Sequence, residues 1–122
     1  MRSMTAPPFV FDDAQEAVLA HDAGPALVTG GPGSGKTAVL RERFARLIEA
    51  GAEPERVALV LGSGRARDVA RAALLERLPA SLPGLQVATF HGLANRVIKL
   101  REGEPPEVLG AAEQFAKVRE LR

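Results

Sequence analysis

The chain has 122 residues, no cysteine, 46% hydrophobic and 25% charged residues, the balance of one ordinary globular domain with room for a core. These numbers exclude a disulfide scaffold and a thiolate metal centre, and no apolar run reaches the roughly 18 residues that would span a bilayer. The net charge of +1 excludes nothing by itself, but residues 62–101 hold 7 basic and 2 acidic groups, a net of +5, while residues 1–61 and 102–122 are each −2. A local excess of that size suits a polyanion, and it also suits a set of solvated helix faces. The first eight residues lack the apolar centre of a signal peptide, and with no cysteine the expected location is the cytoplasm.

In chain order, residues 1–8 read as a flexible tail. Asp12 is a good N-cap and Gln15 stands three residues later, the capping-box spacing, so a helix is expected from there to about Asp22. Ala23-Gly24-Pro25 stops it. Pro25-Ala26-Leu27-Val28-Thr29 is a short apolar run, expected as a buried strand. Gly30-Gly31-Pro32-Gly33-Ser34-Gly35-Lys36-Thr37 then fits G-x-x-x-x-G-K-[ST] at every specified position.

The composition of that octapeptide follows from phosphate chemistry. Glycines permit turns closed to residues with a Cβ and let the backbone approach an anion. Successive N–H groups of Gly30, Gly31, Gly33, Ser34 and Gly35, with Pro32 bending the loop, point inward as an anion nest. The helix that follows adds its positive end. Lys36 is expected to reach the β- and γ-phosphates, where it would act catalytically, and the Thr37 hydroxyl to ligate Mg²⁺. The plain alternative is a glycine-rich turn with a surface lysine and a capping threonine.

Residues 35–50 have helical periodicity, with Leu40, Phe44, Leu47 and Ile48 expected on one buried face and Glu42 to Arg46 a favourable i,i+4 pair. Gly51 ends that helix. Val57-Ala58-Leu59-Val60-Leu61 is a continuous apolar run, the pattern of a strand covered on both faces of a parallel sheet. A helix over about 66–78 should bury Val69, Ala73 and Leu74. Leu85 to Thr89 reads as a third strand, followed by a helix from Phe90 to about Leu100 with Leu93, Ala94, Val97 and Ile98 inward. Gly103 to Pro106 is a linker, and a last helix begins at Glu107 or Ala111. Strands alternating with helices predict an α/β domain on a parallel sheet. Ligands in such sheets sit beyond the carboxyl ends of the strands, here Gly30, Gly62 and Thr89.

Several stretches together resemble the N-terminal part of superfamily 1 DNA helicases of the UvrD/Rep/PcrA type. Asp13-Ala14-Gln15-Glu16-Ala17-Val18 is similar to that family's Q motif, which implies an adenine contact for Gln15, compatible with its capping role. Arg56 to Ala66 occupies the place of motif Ia, with Gly62 where the family has phenylalanine and Ser63 where it has threonine. The resemblance implies contacts of Ser63 and Arg65 with DNA phosphates, and a helix cap and a solvated arginine fit the same two residues. Thr89-Phe90-His91-Gly92-Leu93-Ala94 resembles motif Ib, departing at Gly92, which implies that Thr89, Phe90 and His91 lie along DNA.

The resemblance implies a P-loop NTPase (RecA-like) fold of parallel sheet flanked by helices, incomplete here as the first part of helicase domain 1A. Residues 9–101 would be the front of the ATP-binding domain and 102–122 a linker and the start of a helical region. The implied cofactors are ATP and Mg²⁺. The implied partners are single- and double-stranded DNA and the remainder of a helicase chain, with no membrane. No strand in this sequence ends in Asp-Glu, and no arginine finger is identified, so a fragment inactive by itself is expected, with edges and apolar faces that favour partnering. Two other classes fit a glycine-rich phosphate loop: a small P-loop kinase or transferase, and a non-catalytic nucleic-acid-binding module with a vestigial loop.

Overall fold

The structure, a computed structural model, describes residues 10–79, 84–104, 107 and 109–121. In order these form α1 (Asp13–Ala20), α2 (Lys36–Glu49), a 3-10 turn (Pro54–Arg56), β1 (Ala58–Leu61), α3 (Gly64–Arg77), β2 (Gln86–Thr89), α4 (Phe90–Glu102) and α5 (Ala111–Glu120). The expected tail at 1–8 lies outside the described residues, as do Pro105 and Pro106 of the linker. No helix among the described residues is long and apolar enough to cross a membrane.

β1 and β2 pair in parallel, with Leu59 opposite Val87 and Leu61 opposite Thr89. A parallel pair needs a crossover, and α3 supplies it. Gln86 Nε2 donates to the carbonyls of Pro54 and Glu55, which ties the start of β2 to the turn that leads into β1. Leu59, Leu61 and Val87 form one core with Phe44, Ala45 and Ile48 of α2 and Ala70, Leu74 and Leu78 of the α3 segment. Among the described residues Leu74 is the largest fully buried side chain, and its truncation to alanine would cost about 2–5 kcal/mol. The fold is therefore α/β, a small parallel sheet flanked by helices.

The structure departs from the sequence pattern in four places. Residues 25–29 join no strand pair, and Leu27 is 90% exposed. An apolar run becomes a strand only where a neighbour takes its hydrogen bonds, and among the described residues β1 and β2 pair only with each other. In α2, Phe44 and Ile48 are buried as expected, but Leu40 and Leu47 are exposed and Val39 and Ala45 are buried instead. α2 is covered on two sides, by the sheet and α3 at Phe44, Ala45 and Ile48, and by the α1 side at Val39. Leu40 and Leu47 fall between those covered sides.

In α3 the buried stripe is Ala70, Leu74 and Leu78 at i,i+4 steps, so Ala73 is half-buried and Val69 turns outward at 59% exposure. The fourth departure concerns cover on the sheet. Leu59 and Leu61 are buried while Ala58 is exposed and Val60 half-buried. α4 packs on the sheet without burying any of its own residues. Leu93 and Ile98 are half-buried, and Ala94 and Val97 are exposed.

Candidate phosphate site

The loop before α2 has the backbone that its glycines allow. Gly33 and Gly35 have φ of 76° and 83°, in the left-handed region where a Cβ is strained. Gly33 to Ala38 line a hollow of about 270 Å³. The N-terminus of α2 faces it without a side-chain cap, whereas Asp12, Ser63 and Thr89 cap α1, α3 and α4. The free N–H groups of the first turn of α2 are thus left to whatever enters the hollow. No acidic residue stands in that turn.

Lys36 Nζ donates to the Gly30 and Gly31 carbonyls at 2.7 Å each and to Ser34 Oγ at 3.3 Å. Its three donors are spent on neutral acceptors of its own loop. A phosphate oxygen would offer a charged acceptor in their place, and charge-assisted bonds are roughly twice as strong. The glycines, the uncapped helix and the lysine fit a phosphate group. Among the described residues no three His, Asp or Glu side chains converge to hold a metal. The Mg²⁺ expectation therefore rests on the Thr37 hydroxyl, with phosphate and water completing the shell as is usual for that ion.

Gln15 joins the loop to α1. Its Oε1 accepts from Asp12 N–H at 2.9 Å while Asp12 Oδ1 accepts from Gln15 N–H at 2.8 Å, so the capping box is present. Its Nε2 donates to the Ser34 carbonyl at 3.0 Å, a contact that the spacing of the two residues does not reveal. One Nε2 proton and one Oε1 lone pair remain free for a ligand. Gln15 also lines a cleft of about 370 Å³ with apolar Val18, Leu27, Val28 and Val39 and polar Asp12, Thr29, Ser34 and Lys36.

The other candidate residues gather at the carboxyl ends of the two strands. Leu61 pairs with Thr89, so the segments that follow them, Ser63-Arg65 and Phe90-His91, leave the same end of the sheet. Ser63 Oγ accepts from Ala66 N–H at 3.2 Å and Thr89 Oγ1 from Gly92 N–H at 3.1 Å. Both hydroxyls are caps that keep their own proton to donate. Arg65 and His91 are exposed, and Phe90 is 69% exposed rather than packed in the core. Thr37 and Ser63 line a common groove with Arg41 and Arg65. Arg41 was legible only as a residue off the apolar stripe of its helix; its i,i+4 relation to Thr37 is the signal that points to it.

A family model for the UvrD/REP helicase N-terminal domain matches residues 11–106. A probable DNA helicase of Mycoplasma pneumoniae is 32% identical over 103 residues, 83% of this chain and 20% of that protein. The ATP-dependent DNA helicase PcrA of Leuconostoc citreum is 38% identical over 98 residues, 75% of this chain and 12% of its own length. DNA helicase II of Escherichia coli is 34% identical over 89 residues, 72% of this chain and 12% of its own length. The chain thus spans a fifth or less of these curated relatives.

Proposed function

Because the chain belongs to the UvrD/REP helicase N-terminal domain family, we propose that it is the ATP-binding front of an ATP-dependent DNA helicase of the repair and recombination type, moving 3′–5′ along single-stranded DNA. Residues 9–101 are then the first part of a RecA-like P-loop domain, and 102–122 lead into a helical region. Lys36 and the loop from Gly30 to Thr37 hold the triphosphate, Thr37 ligates Mg²⁺, and Gln15 reads the adenine. Ser63, Arg65, Thr89, Phe90 and His91 lie along the DNA. The observation that carries this reading is the uncapped α2 N-terminus over a glycine hollow, with Lys36 lining it and bonded to the carbonyls of Gly30 and Gly31 and Gln15 bonded to Ser34 at its rim.

These 122 residues bind nucleotide weakly and turn it over negligibly, because no Asp-Glu follows β1 or β2 in the sequence and an arginine finger alone is worth ~10³–10⁵ in rate. Titrating the chain with a fluorescent ADP analogue and Mg²⁺ tests the site. Wild-type binding that Lys36→Ala abolishes is the expected result, and no binding by the wild type overturns the reading. ATP turnover that disappears in Lys36→Ala would overturn the statement that this stretch is inactive alone.

A further inference from the structure

A groove lies between α2 and α3, and its lining includes Ala66 and Ala70, which also pack in the core. It measures about 290 Å³ and is walled by Thr37 and Arg41 of α2, by the cap residue Ser63, and by Arg65, Ala66 and Val69 of α3. Thr37 and Arg41 stand one above the other on α2, as Arg65 and Val69 do on α3, because each pair is spaced i,i+4. The groove therefore has a basic side chain on each wall, with the exposed apolar residue Val69 beside Arg65 on the α3 side.

Neither arginine is committed elsewhere. Among the described residues, Arg41 and Arg65 make no ion pair and no side-chain hydrogen bond. The other arginines of α2 are engaged: Arg43 donates to the carbonyls of Val18 and Leu19, and Arg46 pairs with Glu42 and Glu16. No acidic residue lines the groove, and neither helix has an acid in its first turn. Two uncompensated guanidinium groups bordering one cleft repel each other unless an anion enters. Arginine forks suit phosphate, and an apolar surface beside them suits a base or sugar.

We propose that Arg41 and Arg65 form a second phosphate site, distinct from the glycine loop, that grips a backbone phosphate of single-stranded nucleic acid. Arg41 is its new element, since it belongs to none of the motifs that carry the family resemblance. The nucleic-acid class of the ligand rests on the function proposed above. It is favoured over the phosphate of a bound nucleotide because Ser63 and Arg65, which follow the end of β1, line the groove and no part of the loop hollow, Thr37 being the residue that borders both. Arg65 belongs to the segment 62–101 that carries the chain's basic excess, which suits a polyanion. A strand held there would pass directly beside Thr37, within the same groove as the end of the nucleotide cradle.

The test measures anisotropy of a labelled oligo(dT) over a salt series with the wild-type chain, Arg41→Ala, Arg41→Lys and Lys36→Ala, beside titrations with the fluorescent ADP analogue. Arg41→Ala is expected to weaken oligo(dT) binding about tenfold and to reduce the slope of log K against log salt by about one. Arg41→Lys should restore most of the slope, and nucleotide binding should be unchanged in both. Oligo(dT) affinity and slope that survive Arg41→Ala would overturn the proposal. A loss of nucleotide binding instead would assign Arg41 to the nucleotide and overturn the strand. A wild-type chain that binds nucleotide but no oligo(dT) sinks this inference alone, while a chain that binds oligo(dT) through Arg41 but no nucleotide sinks only the ATP reading.

Discussion

Gln15 Nε2 donates a 3.0 Å hydrogen bond to the Ser34 carbonyl, joining a helix cap to the rim of the phosphate loop across nineteen positions of chain. One side chain thus completes α1 and fixes the loop. The two roles use different atoms, Oε1 for the cap and Nε2 for the loop, and can be separated.

Gln15→Glu keeps an acceptor for Asp12 N–H but places a carboxylate oxygen against the Ser34 carbonyl. We expect α1 to survive and the loop to loosen. Hydrogen exchange at residues 33–36 should quicken while exchange in α1 stays unchanged, and nucleotide affinity should fall about tenfold, as for a lost hydrogen bond of 1–1.5 kcal/mol. Equal protection of the loop in both proteins would show that the bond does not hold it.

Gly35 and Gly33 share positive φ but differ in surroundings. A Cβ at Gly35 would lie 2.7 Å from Gln15 Nε2, while one at Gly33 meets nothing within 4 Å. Gly33→Ala should cost only the left-handed strain, about 1–2 kcal/mol. Gly35→Ala should cost more, because it also displaces Gln15. Chemical denaturation of the two variants checks the order, and equal midpoints would contradict it.

Glu42 is the acid at the centre of a cluster joining α2 and α3. Its carboxylate is paired with Arg77 and bonded at 2.8 Å to Arg46, and Arg77 also reaches Glu49 at 2.8 Å. The Arg77 hydrogen bond holds Glu42 below its ordinary 4.5, against a rise from desolvation, and Arg46 adds to the lowering. A lowered folded value means the stabilisation is present above 4.5 and is lost as pH falls through the folded value. Glu42→Gln should therefore lose up to about 1 kcal/mol near neutral pH, the cluster being partly exposed. The difference from wild type should shrink in paired urea titrations as pH falls from above 4.5 through the lowered folded value.

Gly62 and Gly92 stand where the related motifs carry larger residues, and both sites have room. A Cβ at Gly62 meets nothing within 4 Å, and one at Gly92 meets only Thr89 Oγ1 at 3.4 Å and Ala88 Cβ at 3.9 Å. Gly92→Ala should stabilise the chain by about 0.5–1 kcal/mol through helix propensity, seen as a raised melting temperature. Gly62→Phe should tighten oligo(dT) binding about tenfold by stacking. Unchanged oligo(dT) affinity would place the strand away from the end of β1.

Local chemistry is what the sequence by itself determined. The capping box at Asp12 and Gln15, the loop from Gly30 to Thr37, the Glu42–Arg46 pair and both strand-to-helix turns at Ser63 and Thr89 depend on neighbours within a few residues. Short-range sterics and hydrogen bonding fix such features wherever the chain goes. Burial and pairing belong to partners far along the chain, and only the tertiary structure decided them. Pro25 to Thr29 reads as a strand yet pairs with nothing among the described residues, and Val69 fits an inward helix position yet faces the groove at 59% exposure. The same dependence brings Gln15 to Ser34 and sets Arg41 across from Arg65, because the face of a helix acquires a meaning only from what packs against it.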